Sequence, residues 1–328
     1  DCSQMEMSEV FSAYTQEMKQ VEVHLDRYIT SEIKLIPEVA HHLIDSGGKR
    51  FRPLLLLISA RLCGYEGDAR FPLAAAVEFI HTASLLHDDV IDEALIRRGK
   101  TSANNIWGNA ASVLVGDFLY SKAFKLLSEI GDIGLVQLMS KMTNIMSQGE
   151  VFQLMKCGDT DLTETDYLNI VEKKTAVLIS AACESGAFLG KASPVQADAL
   201  GQYGYKIGMA FQITDDTLDY MASQADFGKA IGKDLEEGKM TLPLIYALTQ
   251  CTKAQRDFIK AAVSEKMFSP ETIRDIFAIV RESGGIDYSL KRADQFIEDA
   301  MDGLNVFPET PQRNHLAAVA RFILSRKA

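Results

Sequence analysis

The stretch Ile80–Gly99, IHTASLLHDDVIDEALIRRG, sets three aspartates, Asp88, Asp89 and Asp92, inside an otherwise apolar run. Spacings of three and four place Asp89 and Asp88 on the same helical face as Asp92. Like charges that close repel one another and weaken the helix that carries them, unless something positive sits between them. A hard divalent cation answers that need. Mg2+ prefers oxygen ligands, keeps several waters, and is usually held by one or two carboxylates plus substrate phosphates. A single acidic helix face is more often simply solvated, so the second copy carries the weight. Phe211–Tyr220 reads FQITDDTLDY and repeats the pattern as Asp215, Asp216 and Asp219, again in an apolar context and again followed by basic residues.

Two D-D-x-x-D clusters of this kind resemble the trans-prenyl diphosphate synthases, the head-to-tail chain elongators of isoprenoid metabolism. The resemblance runs from about Gly47 to the C-terminus. It implies an all-α fold, a large helical bundle of the isoprenoid synthase type around a central cavity. It also implies that both aspartate clusters are catalytic and face each other across that cavity. Three Mg2+ ions would bridge them to an allylic diphosphate, with Asp88, Asp92 and Asp215 as metal ligands.

The 328 residues, 47% of them apolar, suffice for one large helical core, and only 8 prolines interrupt them. No Ser/Gly/Pro-rich linker or block of one charge divides the chain, so a single domain over residues 1–328 is expected. The net charge of −11 argues against nucleic acid as a partner. Five cysteines, at 2, 63, 157, 183 and 251, include no C-x-x-C pair, which points to a reducing compartment without a disulfide framework or zinc site. No apolar run approaches the roughly 20 residues of a membrane span. The N-terminus has neither a basic n-region nor an apolar h-region, so a cytoplasmic protein without a signal peptide is expected.

Residues 5–30 read as an amphipathic helix for packing or subunit contact, and residues 31–45 as a second helix stopped by Gly47 and Gly48. In GGKRFRP (Gly47–Pro53), Lys49, Arg50 and Arg52 precede Pro53 at a helix start, which reads either as an anion site, by its free N–H groups and cations, or as an ordinary basic helix cap. The resemblance assigns Lys49 and Arg52, with His81, to the diphosphate of isopentenyl diphosphate. Residues 71–95 form a helix apolar nearly all round, which means burial. After it, Arg97 and Arg98 suit bidentate phosphate contacts; by the resemblance the first faces the allylic diphosphate and the second isopentenyl diphosphate. Long helices are expected over 101–130 and 133–156. Asp117 reads as a buried polar partner or cap; Glu150 with Gln153 reads as a surface pair, although the resemblance puts that position near the diphosphate.

Thr163 with Asp166 forms a variant capping box. The resemblance places Lys174 and Thr175, which follow it, at the allylic diphosphate, together with Gln212. Ser223–Lys239 shows no helical period and carries Lys229, Lys233 and Lys239. A long aperiodic loop in a helical protein suggests a lid, and Lys229 and Lys239 match the diphosphate lysines of relatives. Beyond it, helices are expected with breaks near Thr252, Ser269–Pro270 and Gly284–Gly285, and a last helix over His315–Arg326.

Product length follows from the residues before the first cluster. In short-chain relatives bulky aromatics stand four and five positions ahead of it; here those positions hold Ser84 and Ala83. At a pitch of about 5.4 Å each unblocked helical turn admits roughly one more isoprene unit. A long-chain product is therefore expected, and the run LLHDDVIDEALIRRGKTSANNIWG is most similar to octaprenyl diphosphate synthases, whose products become quinone side chains. The resemblance implies farnesyl diphosphate as primer, a homodimer, and membrane proximity for product release. The alternatives are a shorter-chain geranylgeranyl or farnesyl diphosphate synthase, or one subunit of a heteromeric synthase. A class I terpene cyclase would lack the GGKR motif and the lysine-rich second cluster. A di-iron bundle would need Glu-x-x-His pairs, which neither cluster has.

Overall fold

The computed structural model describes residues 5–46, 48, 50–221 and 232–325. In chain order its helices are α1 (Met7–Ala13), α2 (Thr15–Ile29), α3 (Leu35–Ile44), α4 (Phe51–Leu62) and α5 (Arg70–Ile91). A two-stranded hairpin, β1 (Ile96–Arg97) and β2 (Lys100–Thr101), leads into α6 (Ala103–Trp107), α7 (Asn109–Ile130), α8 (Ile133–Lys156) and α9 (Glu164–Val171). A π-helical turn, Glu172–Ala176, joins α9 to α10 (Val177–Leu189) and α11 (Pro194–Met221). There follow α12 (Lys233–Glu236), α13 (Leu242–Gln250), α14 (Lys253–Ser264), α15 (Pro270–Glu282), α16 (Gly285–Gly303) and α17 (Pro311–Ser325). The fold is all-α, as expected. No helix among the described residues is long and apolar enough to cross a membrane.

The residues divide into two units, the first made of Asp1–Thr143, Leu178–Gly201 and Val306–Ala318. Its centre is α5, packed against α2, α4 and α7. Leu73 to Ile80 are all buried, as an all-round apolar helix requires. On α4, Leu54, Leu55 and Leu56 are fully enclosed, each adding about 1.5–3 kcal/mol of burial. Helix α10 comes so near α4 that a Cβ on Gly186 would lie 2.4 Å from the Ala60 backbone nitrogen. The N-terminal region is two helices where periodicity suggests one. The break falls at Tyr14, whose buried hydroxyl bonds His315 Nδ1 at 3.0 Å.

The second unit comprises Asn144–Val177, Gln202–Asn305 and Val319–Ala328. Here α13 packs on α15 and α16. The expected Thr163–Asp166 cap is present, and the expected breaks at Thr252, Ser269 and Gly284 are helix starts. Thr163 accepts from the Asp166 N–H while the Asp166 carboxylate accepts from the Thr163 N–H, and Thr252 and Gln255 do the same for α14. Ser269 caps α15 ahead of Pro270, and Gly284 starts α16 at φ 77°. The last helix begins four residues earlier than His315, at Pro311, where proline suits a first turn.

Candidate active site

In the first unit, the last turn of α5 presents Asp88 and Asp92 one turn apart and partly exposed, whereas Asp89 is wholly buried. The Asp89 carboxylate accepts from Arg97 Nε at 2.8 Å and Nη2 at 2.5 Å. Burial works against the Arg97 charge, but this bonding and the fields of the three aspartates outweigh it and hold its pKa above the ordinary value. The hairpin turn makes the contact possible. Arg98 and Gly99 both take positive φ, 51° and 76°, as a two-residue type I′ turn requires. The Arg98 guanidinium reaches back to the Leu43 carbonyl at 3.4 Å and over Gly48, where a Cβ would lie 3.0 Å from Nη1.

Arg98 thereby joins Arg50, Arg52 and His81. Arg50 is committed to structure: it bonds Glu22 at 2.6 Å, Glu78 at 3.4 Å and the Ile44 carbonyl at 3.0 Å. Arg52 differs, since its Nε is buried with no hydrogen-bond partner among the described residues. Desolvation pushes its pKa down to about 10, with Glu78 opposing and Arg98 adding to the fall. His81 is driven well below the usual imidazole value by desolvation and by Arg52, Arg98, Arg97 and Arg50, which keeps it a neutral donor or acceptor. Crowded cations with an unsatisfied donor call for an anion. Lys49 lies outside the described residues. On the same helix Ala83 is buried and small, and Ser84 turns its hydroxyl to the His81 carbonyl at 2.6 Å.

In the second unit, the π turn carries Lys174 and Thr175, and such turns recur at functional sites. Lys174 Nζ pairs with Glu150 at 2.9 Å and also bonds Gln153, so these two are partners of the lysine and no mere surface pair. Thr175 Oγ1 donates to Gln212 Oε1 at 2.9 Å, and Gln212 Nε2 donates to Asp216 Oδ1 at 2.8 Å. Tyr167 donates to Asp216 Oδ2 at 2.5 Å. Asp216 is buried, while Asp215 and Asp219 on either side of it are partly exposed. Burial and Asp234 raise the pKa of Asp216 above the usual carboxylate range; the same two causes raise Asp219 to about 6 against a Gly232 N–H that lowers it. Carboxylates so desolvated and mutually repelling fit a hard cation, every donor being oxygen. Among the described residues no three His, Cys, Asp or Glu side chains close around one point. A cation here would draw further oxygens from its substrate, as Mg2+ commonly does.

Residues 33–280 match the family model described as Polyprenyl synthetase. The chain belongs to the polyprenyl synthetase family. It is 38% identical over 322 residues to octaprenyl diphosphate synthase of Escherichia coli (strain K12), covering 98% of this chain and 99% of the relative. It is likewise 38% identical over 320 residues to the all-trans-nonaprenyl-diphosphate synthase (geranyl-diphosphate specific) of Rhodobacter capsulatus, covering 97% of each. A crystal structure of polyprenyl synthase from Caulobacter crescentus CB15, complexed with calcium and isoprenyl diphosphate, matches with a TM-score of 0.94 at 38% identity over 100% of both chains. The chain is thus a prenyltransferase of isoprenoid biosynthesis, of the long-chain type.

Against the family pattern, three features went unread in the sequence. Asp234 dominates the field at the second cluster, yet GKDLEEGK draws attention to its lysines. Tyr167 looks like one more apolar helix position, because its partner stands 49 residues away. The π turn has no periodicity of its own. Part of the aperiodic stretch is also ordered differently from expectation: Lys233–Glu236 is a helical turn, and Lys239 pairs with Glu237 at 2.7 Å. Lys229 lies outside the described residues. Asp117 is a correction: its side chain is 61% exposed, and it sits 3.3 Å from His87. The α7 segment it occupies turns that position outward.

Proposed function

We propose that this enzyme joins isopentenyl diphosphate head to tail (1′–4) to farnesyl diphosphate and repeats the step to an all-trans octaprenyl diphosphate, the precursor of a quinone side chain. The single observation that carries this reading is the shared design of the two aspartate clusters. In each, the outer carboxylates are partly exposed and the middle one is buried and hydrogen-bonded. Small residues at 83 and 84 support the long product.

Asp88, Asp92 and Asp215 would hold Mg2+, three ions per site by the family's pattern. When bound, the metal neutralises charge gathering on the leaving diphosphate. Arg97, Lys174, Thr175, Lys229 and Lys239 hold the allylic diphosphate and favour its departure, an electrostatic effect that lowers the barrier most. Lys49, Arg52, His81 and Arg98 hold isopentenyl diphosphate so that its terminal carbon meets the allylic C1, and proximity supplies much of the remainder. The C1–O bond breaks and the departing diphosphate keeps its electron pair. The double bond of isopentenyl diphosphate forms the new C–C bond. A proton from C2 of the isopentenyl unit then passes to diphosphate. The Gln212 amide oxygen and the Thr175 carbonyl face the allylic cation in this reading. A homodimer is supported by α7, where Leu114 is 66% exposed beside Val113.

The test is incubation of the chain and Mg2+ with farnesyl diphosphate, with and without labelled isopentenyl diphosphate, followed by chromatography of the products. Label in a C40 prenyl chain, and no turnover of farnesyl diphosphate alone, is the expected result. Turnover without isopentenyl diphosphate would mark a cyclase, and an inert chain would mark a subunit that needs another.

A further inference from the structure

We propose that Tyr167 is a positioning residue for prenyl transfer: through Asp216 it fixes which end of the Gln212 amide, oxygen or nitrogen, faces Thr175. The inference rests on the prenyl-transfer reading above. Tyr167 is buried on α9, two turns ahead of Lys174, and its hydroxyl donates to Asp216 Oδ2 at 2.5 Å. The other carboxylate oxygen accepts from Gln212 Nε2 at 2.8 Å, and Gln212 Oε1 accepts from Thr175 Oγ1 at 2.9 Å. Four side chains from α9, the π turn and α11 thus form one chain of hydrogen bonds whose donors converge on Asp216 from both ends.

The direction matters because a carboxamide is nearly symmetric in shape and opposite in polarity at its two ends. Sterics alone would let Gln212 turn over. With Tyr167 donating to Oδ2 of Asp216, Oδ1 is left to accept, so Asp216 takes the NH2 end of Gln212 and leaves the oxygen on the side of Thr175 and the π turn. That is where an allylic cation is to be stabilised in the proposed reaction; an NH2 group there would present positive charge to a forming cation. Asp216 needs an anchor to impose this. It is buried, and Asp234 and Asp215 repel it, so a phenol bonded to its far oxygen holds the carboxylate in the one rotation that meets Gln212. Tyr167, 3% exposed, has no route to substrate itself and acts only along this chain.

The experiment compares Tyr167→Phe, Gln212→Leu and the double variant by single-turnover condensation, KM for isopentenyl diphosphate, and melting temperature. Expected are an about tenfold slower single turnover for Tyr167→Phe, typical of a lost orienting partner, and an isopentenyl diphosphate KM within about twofold. In the Gln212→Leu background Tyr167→Phe should cost nothing more, since a residue acting through another loses its effect when that other is gone. Losses that multiply, or a rate unchanged in Tyr167→Phe, overturn the inference. Should Tyr167→Phe fail to fold, full-length chain carrying 3,5-difluorotyrosine at position 167 keeps the ring and alters the donor. A single-turnover rate unchanged by the fluorines overturns the inference equally. A wild-type chain that condenses nothing would sink the prenyl-transfer reading itself, whereas an active wild type with multiplicative losses sinks only the role of Tyr167.

Discussion

Within each D-D-x-x-D triplet the side chains divide their labour by exposure. Outer residues i and i+4 share a face and repel, by about 0.2–0.5 kcal/mol for an exposed helical pair. The middle residue turns inward and organises a neighbour, Arg97 for Asp89 and Tyr167 with Gln212 for Asp216. Asp89→Asn should therefore act through Arg97. We expect kcat/KM for the allylic substrate to fall by about 10- to 100-fold while KM for isopentenyl diphosphate stays put; equal loss for both substrates would contradict this. Ser84→Phe should shorten the product and keep activity, read by chain-length chromatography, because the phenyl ring replaces a hydroxyl that only caps the His81 carbonyl. Unchanged length would put the ruler elsewhere. The aspartates were legible in the sequence because a one-turn spacing is a local signal. Tyr167 and the distinction between Arg50 and Arg52 were not, since both depend on carboxylates distant along the chain, Asp216 for the first and Glu22 and Glu78 for the second.

Helix boundaries followed local chemistry, and local chemistry can be read. Thr163, Thr252 and Ser269 cap where their side chains reach the third N–H, and Gly284 starts a helix at positive φ. Breaks imposed from outside were not readable. Tyr14 interrupts an amphipathic run because His315 holds its hydroxyl. Gly108, at φ 86°, is by contrast a local break that went unread, and it divides the expected 101–130 helix into α6 and α7. The hairpin likewise hides in a stretch whose reading rests on its two arginines alone. At this scale Gly186→Ala is a severe test of the α4–α10 contact, because the new methyl would meet backbone at 2.4 Å. Overpacking of that kind costs about 1–3 kcal/mol. A lowered denaturation midpoint is expected; full stability would show that the helices separate freely.

For the molecule as a whole, acid should be a stress centred partly on His315. Burial, with Arg61 adding to it, lowers the pKa of this imidazole below its unfolded value of about 6.5. The unfolded chain then binds the proton more readily. Stability is thus unaffected above that unfolded value and is lost as pH falls below it, towards the lowered folded pKa. His315→Gln, which keeps a polar partner for Tyr14, should flatten the dependence of melting temperature on pH between about 7 and 5; an unchanged slope would assign the acid response to other groups. The net charge of −11 fits the same scale: against it, Arg52, Arg98 and Lys174 are the cations that the proposed function assigns to anionic substrates. The proposed function requires that both aspartate clusters serve one diphosphate. Its most direct measurement is a crystal structure with Mg2+ and a non-hydrolysable thio analogue of farnesyl diphosphate. The account predicts a single diphosphate whose metal ions are held by Asp88 and Asp92 together with Asp215. A diphosphate ligated through one cluster alone, with the other left to solvent, would contradict it.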